Sequence, residues 1–332
     1  MISLAVATVI LAPSSAPTVT RVKTFDQFRV TAMAAAFSGP MVAFSTEDNT
    51  VRLFDTRAMK TVAAMQGHPR PVMSVAFNRA GTLVASGDES ARLYLWDAKT
   101  GKKVREFPRD RGHQRAIIAI AFSPDGSRIA TVGNDDTIKV WPTAGGHPVG
   151  TILGGGANLY GVAFNSSGAL LTGTLRDGLR VYEPKKWSLA GTIGVPGGQG
   201  VNGISASADG TRAVTAGRDG KLTLVNVPGR ARVAAVQAHS DWVIGSALSP
   251  NGRLAATSSS DRTVAVWELP AMRKVATLEE MSAIGSPVVF TGDGRAMVAT
   301  NASDALQVYA VNPPQTGAAS APAKKTTVRR RR

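Results

Sequence analysis

Cysteine is absent from this 332-residue chain, which excludes disulfides, thiolate nucleophiles and cysteine-ligated zinc and leaves the redox compartment open. Histidine is scarce, and His68, His113, His147 and His239 are too evenly scattered for a metal cluster. Long apolar runs are missing as well. The stretch from Ile2 to Ala12, interrupted by Ser3 and Thr8, is too short to cross a bilayer, and no other transmembrane candidate occurs. No cofactor is expected. Acids are missing after Asp304, so Lys324, Lys325, Arg329, Arg330, Arg331 and Arg332 stand unopposed and supply six units of the formal net charge of +15. A balance this basic favours acidic partners, whether RNA, an acidic protein or an anionic membrane surface.

What the chain has is repetition. A short apolar run ending in a turn such as Phe122-Ser123-Pro124-Asp125-Gly126 recurs seven times. Aligned on the last apolar residue, the copies fall at Phe37, Phe77, Phe122, Phe164, Ala206, Leu248 and Phe290, between 40 and 45 residues apart. A period near 42 with four short β segments per unit is the pattern of propeller blades and not of a helical solenoid. Seven units fill residues 31 to 311 and leave no room for a second folded domain.

Blade three reads most clearly. Ile117 to Phe122 forms an inner strand, Arg128 to Val132 returns, Thr137 to Trp141 makes a third strand, and Pro148 to Leu153 supplies the outer one. The last unit, with Ser286 to Phe290, Arg295 to Thr300 and Leu306 to Ala310, lacks an outer strand. Residues 21 to 30 precede the first inner strand, Met33 to Phe37, and have no blade of their own, so the N-terminal segment is expected to donate the missing strand and close the ring. The expected organisation is an apolar extension over 1–20, an all-β, seven-bladed propeller over 21–311, and a flexible basic tail over 312–332. The extension has two readings. Small residues at Pro13-Ser14-Ser15-Ala16-Pro17 suit a signal peptide, yet no Lys or Arg precedes the apolar run, which favours an arm or extra strand against the ring.

A polar set recurs in three blades: His68, Ser86, Asp88 and Trp96; His113, Thr131, Asp135 and Trp141; His239, Thr257, Asp261 and Trp267. The second and third sets share the arrangement D-x-T-[IV]-x-V-W, and the first is less regular. A histidine bridging an Asp and a Ser or Thr, with an indole N–H beside it, satisfies buried polar groups, so these residues are expected to be structural. Phe54, Tyr182, Val225 and Tyr309 replace the tryptophan elsewhere, and those blades are expected to rely on apolar contacts.

On these residues the chain resembles the WD40-repeat family over residues 22 to 311. Gly67-His68, Gly112-His113 and the variant Ala238-His239 match its glycine-histidine element, and Trp96-Asp97, Trp141-Pro142 and Trp267-Glu268 match its tryptophan-aspartate element to differing degrees. The resemblance implies a seven-bladed ring whose narrow face and rim bind proteins or nucleoprotein assemblies. It also places the residue before each turn Asp near one ring face, where Arg176 and Arg218 would form a basic sector. Arg70 and Arg115 extend that sector, and Trp242 is its aromatic anchor. The longest connection, at Arg109 to Gly112, is a candidate specificity loop or a tolerated insertion, and His147 reads as an exposed turn histidine.

Some propellers hold catalytic centres in their channels, but here the acids recur in repeat turns and no serine, histidine and acid set stands apart. The expected function is a noncatalytic scaffold for protein partners, in the cytoplasm or nucleus, with the tail gripping RNA phosphates or an acidic protein. The alternatives are an RNA-associated component of a ribonucleoprotein and an exported or periplasmic propeller.

Overall fold

The computed structural model describes residues 17–35, 39–195, 200–207, 209–281 and 287–312. Phe37, Ser286, the apolar stretch 2–12 and the basic residues Lys324, Lys325 and Arg329 to Arg332 lie outside the described residues. The described chain is all-β and forms seven four-stranded antiparallel sheets. Blade three runs Ile117–Phe122, Arg128–Gly133, Thr137–Pro142 and Gly150–Leu153 from the centre outward. Six of the seven inner strands end on the apolar residue that marks the repeat, at Phe77, Phe122, Phe164, Ala206, Leu248 and Phe290. Each inner strand touches the inner strands of both neighbours in a closed cycle.

Both faces of most strands are covered by adjacent blades, so the second and third strands are buried along most of their length instead of alternating between buried and exposed residues. In blade three Ile129, Ala130, Val132, Ile138 and Val140 are all fully buried. The core is correspondingly divided into seven clusters, each between two blades. Ala43, Val51, Leu53 and Met65 of blade one, for example, meet Val72, Val75, Tyr94 and Trp96 of blade two. No blade therefore holds a complete core of its own, which is the usual condition of a repeat architecture.

Turns between inner and second strands carry their own chemistry. Ser123 Oγ donates to Asp125 Oδ1 at 2.5 Å, Asp125 accepts from the Ser127 N–H, and Gly126 takes the left-handed conformation at φ 71°. Hydrogen bonds from Ser123 and Ser127 hold the Asp125 carboxyl down at about 2.

Closure uses the N-terminal strand. Thr18–Phe25 pairs antiparallel with Leu306–Asn312, in register from Thr18 opposite Asn312 to Phe25 opposite Leu306, and so becomes the outer strand of blade seven. This strand starts ahead of residue 21, and its partner runs one residue past 311. Val30 already belongs to the inner strand of blade one, Val30–Ala35. The seam between first and last blades is tied by the Val30 N–H on Asp304 O at 2.9 Å, Arg29 on Ser303 O at 2.6 Å, and an Arg57–Asp293 ion pair at 2.7 Å.

Candidate functional site

Three polar networks span the blades that carry tryptophan. In blade three the Trp141 indole N–H donates to Thr131 Oγ1 at 2.9 Å, and that hydroxyl lies 2.8 Å from His113 Nε2. His113 Nδ1 faces Asp135 Oδ1 at 3.0 Å. Blade six repeats the arrangement: Trp267 on Thr257 at 3.1 Å, Thr257 against His239 Nε2 at 2.8 Å, and His239 Nδ1 3.1 Å from Asp261 Oδ2. Blade two does so through Trp96, Ser86, His68 and Asp88, at 2.7, 2.6 and 2.9 Å. A neutral imidazole protonated at Nδ1 satisfies every group at once. It donates to the carboxylate and accepts the hydroxyl proton, while the hydroxyl accepts from the indole. Thr137 and Thr263, which sequence reasoning left out of these sets, complete them by donating to Asp135 and Asp261 at 2.8 and 2.7 Å. The threonine in D-x-T was the available signal. In blade two Tyr94 stacks on His68 at 4.3 Å between ring centroids, which no motif announced.

Burial alone would raise the carboxyls of these networks. Burial is the largest single influence, but the lowering contributions together outweigh it, from His68, Ser90 and the Arg92 N–H at Asp88, from His113, Thr137 and the Gln114 N–H at Asp135, and from Thr263, His239 and the Ser240 N–H at Asp261. All three groups therefore lie below the ordinary carboxylate range. Burial pushes His239 below its ordinary value against the opposing pull of Asp261. Acid therefore erodes the ring in two stages. Stability tied to His239 is complete above its unfolded value, about 6.5, and is lost as pH falls through the lowered folded value. Stability tied to the three aspartates is complete above about 3.9 and is lost through their lowered values below that. The thermal midpoint is expected to decline from roughly pH 7 to pH 5, with a shallower decline in His239→Gln. Equal slopes in a pH series of melting curves would contradict the assignment to His239.

In the other blades the same interior positions hold different residues. Blade one places Phe44 where Thr131 stands, and Phe25, Phe28, Phe44 and Phe54 form a cluster with centroids 4.9 to 6.3 Å apart, edge-to-face in the Phe25–Phe54 and Phe28–Phe44 pairs and tilted in the others. Blade seven has Tyr309, whose hydroxyl donates to Gln307 Oε1 at 2.5 Å.

The turns between second and third strands correct two sequence assignments. The turn's first N–H bonds back to the connection ahead of the inner strand: Asn134 to Ala116 O, Arg218 to Gly200 O and Leu175 to Ala157 O. Leu175, not Arg176, is thus the counterpart of Arg218. Arg176 occupies the place of Asp135, and the turn is entered one residue earlier than the aspartate spacing suggests. In blade two, Asp88 is the last residue of its strand, Leu83–Asp88, and reaches its histidine from there, while Ser90 fills the turn position and donates to Asp88 Oδ1 at 2.8 Å.

These turns face one mouth of the central channel, a cavity of about 520 Å³ lined by the inner strands. Near that mouth the inner strands carry a β-bulge, seen in the register shifts at Val30/Ala32, Val72/Ser74, Ile117/Ala119, Leu159/Val162, Val201/Gly203 and Val243/Gly245. A bulge re-aims the extra side chain. In five of these six shifts the residues concerned, Thr31, Met73, Ile118, Tyr160 and Asn202, lie on the channel wall, while Ile244 of blade six does not line the cavity.

Two of them hold Arg218. Its Nε–H donates to Asn202 Oδ1 at 3.0 Å, and Nη2 donates to the Tyr160 hydroxyl at 3.1 Å. The guanidinium lies 4.5 Å from the centroid of Trp242 and 5.4 Å from that of Tyr160. Trp242 remains 47% exposed. The structure therefore joins Arg218 and Trp242 and adds Tyr160 and Asn202, which sequence reasoning missed because a bulge leaves no mark in residue spacing. Arg70, Arg115 and Arg176 are exposed in blades two, three and four and are not part of this cluster, while Glu47 and Glu89 are exposed at the equivalent turn position of blades one and two. The charge on this face thus changes sign around the ring.

His147 Nδ1 meets Asp110 Oδ1 at 3.4 Å, so the long connection after blade two leans on blade three. Among the described residues no group of His, Asp and Glu could hold a metal ion, and no helix is long and apolar enough to cross a membrane.

Three stretches, 59–97, 101–142 and 231–268, match the family described as WD domain, G-beta repeat. Each ends at the close of a third strand, on Trp96-Asp97, Trp141-Pro142 or Trp267-Glu268, and these are the three blades with a complete polar network. Among similar proteins, Autophagy-related protein 16 of Arabidopsis thaliana is 23% identical over 249 residues, covering 73% of this chain and 47% of that protein. WD repeat-containing protein VIP3 of the same plant is 34% identical over 85 residues, 25% of this chain and 26% of that protein. The U3 small nucleolar RNA-associated protein 15 homolog of Xenopus tropicalis is 30% identical over 88 residues, 26% of this chain and 17% of that protein. The chain spans less than half the length of each of these curated relatives. With the repeat motif matched in three blades and its architecture completed by the other four, the chain belongs to the WD40-repeat β-propeller family.

Proposed function

We propose that this propeller is a noncatalytic scaffold that docks protein partners on the channel face bearing Arg218 and Trp242, within a multiprotein complex of the cytoplasm or nucleus. The observation that carries the reading is the exposed Trp242 with a guanidinium seated on it. Large aromatic and arginine side chains supply most binding energy at protein interfaces, and here they stand at a channel mouth already ordered by hydrogen bonds. Among the described residues no combination of nucleophile, base and acid accompanies them, and the histidines at 68, 113 and 239 are engaged in the blade interiors. The basic residues from Lys324 onward add a salt-sensitive attraction for an acidic surface.

The test is capture of the full-length protein from its own cells, as wild type and as Trp242→Ala, with half of each sample treated with nuclease. The expected result is a set of proteins that survives nuclease and is depleted in the variant. Retention of the same set by Trp242→Ala would move docking away from this face. Coordinated loss on nuclease treatment would instead favour the RNA-associated reading, which the basic tail supports.

A further inference from the structure

The guanidinium of Arg218 is fixed before any partner arrives. Of its five N–H donors, one is spent on Asn202 and one on Tyr160. Asn202 is itself anchored by Nδ2 donating to Val243 O at 3.0 Å. The Trp242 ring covers one face of the cation. Neighbouring carboxylates are engaged elsewhere: Asp177 pairs with Arg180, Asp219 lies 3.3 Å from Lys221, and Asp241 takes the Trp242 backbone N–H at 2.7 Å. Among the described residues, the result is an ordered cation with donors to spare and no carboxylate of its own. Next to it opens a channel whose walls include Ile118, Val162, Ile204 and several alanines.

Resting on the docking face proposed above, we infer that Arg218 receives the carboxylate of an Asp or Glu in an extended segment of a partner protein, with an adjacent aliphatic side chain entering the channel mouth. Charge complementarity selects the occupant. A guanidinium fork matches a carboxylate with two parallel hydrogen bonds, and the Tyr160 hydroxyl, which accepts from Arg218, keeps its own proton to donate to the same group. A phosphate dianion would call for several convergent cations, whereas among the described residues no other cation shares the Tyr160, Asn202 and Trp242 contacts of Arg218. Because Arg218 is already ordered, the ordering entropy that usually weakens an arginine contact has been met within the free ring.

Random peptides displayed on phage and selected on the purified full chain provide the test. Selected sequences are expected to carry Asp or Glu beside an aliphatic residue. In a synthetic copy of the strongest, replacing that acid by its amide should weaken binding about tenfold or more, the effect of losing a charge-assisted hydrogen-bonded pair. Arg218→Met should lose binding to the same extent, and Arg218→Lys should retain only part of it. Arg253→Met, in a turn between inner and second strands at the other end of blade six, removes equal charge and should leave binding unchanged. Melting curves check that each variant is folded; if Arg218→Met is not, the amide peptide and Arg218→Lys decide the matter. Peptides sensitive to Trp242→Ala but indifferent to the acid would overturn the carboxylate assignment and leave the docking face standing. Peptides indifferent to both Trp242→Ala and Arg218→Met would remove the face as well. Failure to select any peptide on the folded chain would also overturn the inference.

Discussion

Thr131→Val is expected to destabilise the ring by about 3 kcal/mol, although it exchanges one β-branched side chain for another of nearly the same volume. The hydroxyl is fully buried and serves the Trp141 indole N–H and His113 Nε2, with a longer contact to Lys139 O at 3.4 Å. Its removal leaves both groups without a partner in the blade interior, and each buried unsatisfied group costs about 1–3 kcal/mol. Thr172→Val in blade four is the internal control. Thr172 occupies the same strand position and is equally buried, but its hydroxyl bonds to backbone carbonyls, Gly161 O at 2.7 Å among them, and to no histidine or tryptophan. Its loss should come nearer to about 1 kcal/mol. Urea unfolding with unchanged m-values reads both numbers. Similar midpoints for the two variants would show that the hydroxyl acts only within its own strand.

Removing the chain through Phe25 should abolish the single cooperative unfolding transition. That deletion takes away the outer strand of blade seven and exposes the edge of Leu306–Asn312, an unpaired edge that invites association with other chains. It also removes Phe25 from the cluster that joins the last blade to the first, where the ring meets Phe54 at 4.9 Å beside Val42, Val298 and Leu306. Phe25→Ala alone should cost about 3–5 kcal/mol, the range for large aromatic truncations in cores. Deletion of residues 323–332, which include six basic side chains and only two apolar ones, is expected to leave the transition largely unchanged while lowering salt-sensitive binding. Calorimetry of the three proteins, with size-exclusion chromatography for association, checks the set. A sharp, unshifted transition without residues 1–25 would mean that the seam is held by blade contacts alone.

The ring was legible because a period survives substitution. Ala206 and Leu248 stand where other blades have phenylalanine, yet their spacing still marks the ends of inner strands. The networks around His113 and His239 were legible for a related reason: D-x-T-[IV]-x-V-W fixes both the turn and the strand that follows. Blade two was legible in membership but not in geometry, since Asp88 reaches the histidine from a strand end, and residue spacing alone does not distinguish a strand end from a turn. The displacement of Arg176 has the same origin. Spacing counts residues between an aspartate and an aromatic, whereas backbone hydrogen bonds decide which residue opens the turn. Tyr160 and Asn202 were illegible for another reason. They owe their aim to a bulge at the start of the inner strand, and nothing in a run such as Leu-Tyr-Gly-Val-Ala-Phe declares which residue is extra. The pairing of Arg218 with Trp242 also crosses from blade five to blade six, so no single repeat contains it.

Closure through Thr18–Phe25 has a topological consequence. Thr18 and Asn312 are antiparallel neighbours, with Asn312 Nδ2 3.3 Å from Thr18 Oγ1, so the path through the seven sheets returns to where it started. A circle of this kind has no intrinsic first strand. Where the backbone is cut is a free variable of the architecture, and the same seven sheets are compatible with termini at any of the outer-to-inner connections.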